Sequence, residues 1–234
     1  MKKSFLILMM FSSSICFGQS TQSLEILELY ATTPVGLISM IDAHNPNLLI
    51  QTSHLDSSAS HHVKYLLKEF LQKYPVIDIS HEESTDFSDF EEKLHPEDRT
   101  GAHGQTREIC NIYNTTKLIN KRKSDKDFLV KTGHSKPYKS IFFSNFREDF
   151  DFNCYKNSPS HWGIIKDSDL NFIGSFSIVC VYRTTRGLTV DQILESKVRI
   201  GLVSINVTVF TENFGPYKGE ENVTPIVANK LPTK

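Results

Sequence analysis

Apolar residues recur at helical spacing in the first half of the chain and at strand spacing in its last third. From His61 to Tyr74, Val63, Leu66, Leu67, Phe70 and Leu71 fall at i, i+3, i+4, i+7 and i+8, one face of an amphipathic helix. Asp56 to Ser60 supply its N-cap residues, and Pro75 ends it. Val35 to Ala43 repeats the helical spacing and stops at the turn cluster Asn45-Pro46-Asn47. The lead-in Ser20 to Thr33 is either a strand over Glu25 to Tyr30 or a helical arm, and Leu48 to Ile50 is either a short strand or a bridge.

After Pro75, Ile77 to His81 emerges from the helix stop and runs into a polar, acidic loop through Asp98-Arg99. Glu108 to Leu118 reads as a second helix or as a strand entering one, and Asn120 to Lys139 as a lysine-rich solvated loop. Ser140 to Tyr155 carries Phe142, Phe143, Phe146, Phe150 and Phe152, which fits a helix packed on a sheet. Ser158-Pro159 breaks that helix, since proline lacks an N–H and disfavours helical geometry in the residue before it. His161 follows the stop, and a short apolar turn from Trp162 to Ile165 leads towards a strand.

Phe172 to Tyr182 and Lys197 to Phe210 alternate with the period of strands. Arg183 to Gly187 is the turn after the first, and Thr189 to Ser196 one helical turn between them. Asn213 to Lys234, with three prolines, reads as a loose tail. Helices first and an antiparallel pair last predict an α+β fold with helices layered on a small sheet.

Composition adds little until the N-terminus is considered. A chain of 234 residues with 39% apolar residues suits one domain with tails, and a formal charge of −1 gives no basic excess that calls for nucleic acid. Lys2 and Lys3 precede an apolar run from Phe5 to Ile15, and Cys16-Phe17-Gly18 sets small residues before a cut at Gln19. This is the pattern of a secretory signal peptide, too short for a membrane span, and losing the two lysines takes the charge to −3. A lipoprotein cut before Cys16 is the competing reading, and Ile15 is large for it. The expected organisation is a signal peptide over 1–18, a lead-in over 19–34, one domain over 35–212 and a tail over 213–234. Export to the periplasm or cell exterior permits disulfides, but Cys110, Cys154 and Cys180 allow at most one internal pair. On a eukaryotic secretory route, Asn114, Asn206 and Asn222 would stand in Asn-x-Thr acceptor patterns.

His81 and His161 each follow a helix stop, and Glu108 begins an element. Two imidazoles and a carboxylate are the ligand set of zinc or a similar divalent ion, with water filling a fourth position. His54, His61, His62, His95, His103 and His134 read as solvent-facing or helix-surface residues.

The order of these motifs resembles the CAP superfamily of cysteine-rich secretory, antigen 5 and pathogenesis-related proteins, in its bacterial form. His62-Val-Lys-Tyr-Leu66 looks like the family's early helix, and Ile79-Ser-His-Glu-Glu83 like the segment holding the first cleft histidine. Glu97-Asp-Arg99 and Arg107-Glu108-Ile109 resemble the arginine and the Gly-Glu-Asn that follow it. Tyr155-x-x-Ser-Pro-x-His161 with Asn171-Phe-Ile-Gly174 resembles Trp-x-x-Ser-Pro-Gly-His and the strand after it, and Val203 to Phe210 the closing strand. The resemblance implies a three-layer α-β-α sandwich with a central antiparallel sheet and an open cleft. In that cleft His81 and His161 are the two histidines, Glu108 the first glutamate, and Ser158 stands where many eukaryotic members have a second glutamate. Arg107, Ile109 and Tyr155 depart from the family pattern.

The function expected from this is a secreted binding module that holds a divalent metal ion, zinc first among the candidates, and a lipid or small apolar ligand. The rival is a metal-dependent hydrolase, with zinc lowering the pKa of a bound water to about 7 and Glu108 as base. No His-Glu-x-x-His motif supports that rival. Ser158 with His161 is a poor serine relay across a proline, and Cys110 with His161 lacks the surroundings of cysteine hydrolases. The plainest alternative is a structural or interaction domain whose His and Glu residues only hydrogen-bond one another.

Overall fold

The computed structural model describes residues 23–77, 79–88, 94–101, 106–120 and 148–213. The signal-peptide segment, the lysine-rich loop after Asn120, Phe142, Phe143, Phe146, His103, His134, Asn222 and the tail beyond 213 lie outside the described residues.

In chain order the elements are β1 (Leu24–Thr32), α1 (Val35–Asp42), β2 (Ile50–Gln51), α2 (Ser53–Lys73), α3 (Pro96–Thr100) and β3 (Thr106–Asn120). Then come α4 (Glu148–Asn157), α5 (Pro159–Ile165), β4 (Phe172–Thr184), α6 (Val190–Leu194) and β5 (Lys197–Thr211). The strands form one five-stranded sheet in the order β1-β4-β5-β3, each neighbour antiparallel, while β2 runs parallel beside the start of β4. The chain is therefore a mixed α+β fold. Of the open alternatives, the lead-in and the Glu108 segment are both strands.

Two boundaries differ from expectation. The long helix begins at Ser53, not His61, because Thr52 is its cap: its hydroxyl accepts from the Leu55 N–H at 3.2 Å. Asp56 to Ser60 lie inside the helix. Ser57 returns its hydroxyl to the Ser53 carbonyl at 2.9 Å, and Asp56 Oδ1 accepts the Ser175 N–H at 2.9 Å, tying α2 to β4. The Ser158-Pro159 step ends α4 but also starts α5, since a proline at the first helical position loses no hydrogen bond. His161 to Ile165 are thus helical and not a turn.

Alternation along the strands divides the core. On one face, Leu55, Ala59, Val63, Leu66 and Phe70 of α2 pack on Ile178, Cys180 and Tyr182 of β4 and Val203, Ile205, Val207 and Val209 of β5. On the other, Leu37 and Ile41 of α1, Phe152 and Tyr155 of α4 and Ile165 of α5 pack on Ile109, Ile173 and Phe210. Burial on both faces explains why the second half of β5 is buried almost throughout, its polar residues Asn206 and Thr208 included. α2 packs tightly over Gly174, where an added Cβ would stand 2.2 Å from the Leu55 carbonyl carbon. No helix among the described residues is long and apolar enough to cross a membrane.

Candidate functional site: a buried ring of charges beside His81

Strand alternation sends Glu108 and Cys110 of β3 to the face that α2 covers, opposite Val209 and Val207 of β5. Turned inward from α2 are His61 and His62. After Pro75 the chain returns across the same end, bringing Ser80, His81 and Glu83, and α3 adds Arg99.

His62 joins the two carboxylates from one side. Its Nδ1 lies 3.0 Å from Glu83 Oε1, and its Nε2 lies 2.9 Å from the Ser80 carbonyl and 3.4 Å from Glu108 Oε1. Arg99 joins them from the other, with Nη2 donating to Glu108 Oε2 at 2.8 Å and Nη1 facing Glu83 Oε1 at 3.5 Å. Glu83, Arg99, Glu108 and His62 therefore close a ring of alternating acids and bases, all four buried. Tyr65, one turn along α2, stacks on His62 with the rings 5.5 Å apart and 7° from parallel. Its hydroxyl accepts the Ser84 N–H at 2.9 Å, fixing the returning chain to the helix.

Burial alone would raise the Glu83 pKa. Hydrogen bonds with His61 at 3.1 Å, with His62, and from Ser88 at 2.8 Å outweigh it and hold the carboxyl down to about 2. At Glu108 burial likewise opposes ionisation, and His81, His62 and Arg99 together lower the pKa. Both acids are carboxylates at neutral pH.

His81 stands at the rim. Its Nδ1 lies 3.1 Å from Glu108 Oε1, while 44% of its side chain is exposed. The expected pairing of His81 with Glu108 is present. His161, on the first turn of α5, is half-buried and packs edge-on against Tyr155 at 5.5 Å. Burial, and after it the charge of His81, lowers the His161 pKa. Ser158 caps α5, and its hydroxyl lies 3.2 Å from that of Ser160.

Cys110 meets His81, not His161, with Sγ 3.6 Å from Nδ1 and its thiol donating to Glu108 Oε1 at 3.7 Å. Burial, with Glu108 adding to it, pushes that thiol well above the ordinary range, so it is a poor nucleophile. Cys110, Cys154 and Cys180 are all free thiols. Of the acceptor-pattern asparagines, Asn206 is fully buried and Asn114 accepts the Tyr182 hydroxyl at 2.7 Å.

His62, Glu108 and Cys110 carry ligand atoms within 4.8 Å of one another, and this buried group could hold a metal ion. His62 itself is a correction: expected on the helix surface, it is 0% exposed. The signal was available, because His62 lies three residues after Ala59 and four before Leu66 on the packed stripe. Glu83 had no such signal, as its partners lie on α2 and α3. His95 is exposed, as expected, and His54 instead reaches the Thr100 carbonyl at 2.5 Å.

Comparisons with family models, with curated proteins and with solved structures found no match.

Proposed function

We propose that this chain is an exported, CAP-like domain that binds a divalent metal ion, zinc first among the candidates, at a cleft formed by His81, Glu108 and His161. The observation that carries the reading is the 3.1 Å pairing of a half-exposed His81 with a buried Glu108 carboxylate, a hydrogen bond that orients a ligand imidazole. His161 supports it, since burial and His81 both favour its neutral, metal-ligating form. Helices packed on both faces of a largely antiparallel sheet agree with a three-layer sandwich, and the motif order agrees with the CAP resemblance. The export signal supports a periplasmic or extracellular location. A lipid or small apolar ligand is the companion ligand that the same resemblance implies.

These residues suit the ion. His81 offers a ring nitrogen towards solvent, and water completes a site of two imidazoles, as borderline divalent ions accept. When bound, the ion would supply Lewis acidity there. A binding module is favoured over a hydrolase because Glu108, the base of the metal-dependent rival, already accepts from Arg99, His81 and the Cys110 thiol, while that thiol is held protonated and the Ser158 hydroxyl is turned to Ser160. His62, Glu108 and Cys110 form the rival, more buried seat for the ion.

Titration calorimetry with Zn²⁺ at neutral pH tests the reading, on the wild type and on His81→Ala/His161→Ala. Binding by the wild type, lost in the double variant and weakened at about pH 5.5 as imidazoles protonate, is the expected result. A wild type that takes up no zinc ends the metal-site reading.

A further inference from the structure

Arg99 holds the site from two directions. Its Nη2 donates to the His81 backbone carbonyl at 2.9 Å and to Glu108 Oε2 at 2.8 Å. Its Nη1 donates to the Leu94 carbonyl at 3.1 Å and faces Glu83. One guanidinium therefore fixes both the backbone that carries the His81 ring and the carboxylate that receives it. The planar fork of arginine suits this bridging, which a lysine ammonium would meet as a point charge only.

The donor and acceptor arithmetic of Glu108 gives that grip a chemical consequence. A carboxylate only accepts. Oε2 receives Arg99, and Oε1 receives His81 Nδ1 and the Cys110 thiol. His81 Nδ1 must then carry a hydrogen, which leaves Nε2 of the neutral ring with its lone pair.

We infer that Arg99 is the positioning residue of this centre: it locks Glu108 as the acceptor for His81 Nδ1 and so presents His81 Nε2 as the donor atom of the site. The inference rests on reading His81 and Glu108 as the metal-binding centre. Within that reading, Glu108 orients a ligand and is not itself one. The ring also weakens the buried seat. His62 has Glu83 against Nδ1 and the Ser80 carbonyl against Nε2, and the Cys110 thiol donates a hydrogen bond to Glu108, so both groups are already committed.

The test uses the full chain, first without metal and then with Zn²⁺ and Co²⁺. Long-range ¹H–¹⁵N spectra report the His81 tautomer, and calorimetry reports zinc affinity. The variants are Arg99→Lys and the charge-compensated pair Arg99→Gln/Glu83→Gln, each checked for native fold by circular dichroism. The pair covers the case in which removing a buried cation alone unfolds the protein. We expect the Nδ1–H tautomer at His81 in the wild type and its loss in the compensated pair. Zinc affinity should fall about 10–100-fold in that pair, the usual cost of losing an outer-shell partner, and less in Arg99→Lys. Co²⁺ should bind without sulfur-to-cobalt absorption.

An unchanged tautomer and unchanged zinc affinity in a folded compensated variant overturns the role of Arg99. A sulfur-to-cobalt band that vanishes in Cys110→Ser overturns the assignment to His81 Nε2. A wild type that holds the Nδ1–H tautomer through Arg99 but binds no zinc keeps the positioning role and removes the metal reading.

Discussion

Beneath α2 the sheet buries Glu108 in a ring of charges, whereas its opposite face buries Asn206 of β5 in a lattice of neutral groups. In the lattice, Asn206 Nδ2 donates to Ser177 Oγ at 2.7 Å, and Asn206 Oδ1 accepts from Tyr155 at 2.5 Å and from Thr208 at 3.2 Å. Ser175 and Thr208 close it at 2.8 Å. Each member has at least one neutral partner, so losing one bond leaves the rest standing. Glu83, Arg99 and Glu108 are buried charges held against one another, so removing Arg99 strands two carboxylates in a buried place. Buried charge is held all together or not at all, whereas buried neutral polarity is divisible.

The largest effect should come from Arg99→Met, which leaves Glu83 and Glu108 facing each other without their shared cation. A loss of about 3–5 kcal/mol in urea unfolding is expected. A loss of about 1 kcal/mol would mean that the ring is no more cooperative than the lattice.

The two faces should also answer pH with opposite signs. Glu83, at about 2 when folded against an ordinary 4.5, contributes stability that is complete above about pH 4.5 and lost as pH falls towards 2. At about 1.4 kcal/mol per pH unit this contribution comes to about 3.5 kcal/mol. Asp151 lies on the far face, hydrogen-bonded to Asn111, and burial, with Glu148 adding, raises it from 3.8 to about 6. Its proton is held more tightly by the folded chain, so its contribution is complete below about pH 3.8 and lost as pH rises to about 6. Asp151→Asn should flatten that alkaline side and add up to about 3 kcal/mol at pH 7, while Glu83→Gln should flatten the acid side. Unfolding followed from pH 2 to 8 checks both, and an unchanged profile in either variant removes that residue from the account.

The smallest effect belongs to Tyr155→Phe. Asn206 keeps Thr208 and Ser177 as partners, so a cost of about 1 kcal/mol is expected from thermal unfolding. A cost equal to that of Arg99→Met would erase the distinction between the faces.

Local chemistry made much of the fold legible. The apolar stripe of α2, the alternation of β4 and β5, and the helix-ending force of Pro75 and Pro159 all act over a few residues, and each left its mark. Local chemistry misjudged the start of α2, because Thr52 is a cap only once β2 has placed it extended, and it read α5 as a turn. The candidate site was half legible. His81 and Glu108 were picked for their chemistry and do meet, but nothing near His62 named Glu83 as its partner, nor named Arg99 as the link between both acids.

The sequence by itself determined the helical and strand periods, the apolar surfaces and the stock of acids and imidazoles. The apolar stripe of α2 already put His62 on the packed side, but that it meets Glu83 and the Ser80 carbonyl there was decided by the path of the returning chain. The pairing of charges was decided likewise, since ring partners meet across elements that only the sheet brings together. Periodicity is a property of neighbours along the chain, but desolvation and charge pairing depend on neighbours in space.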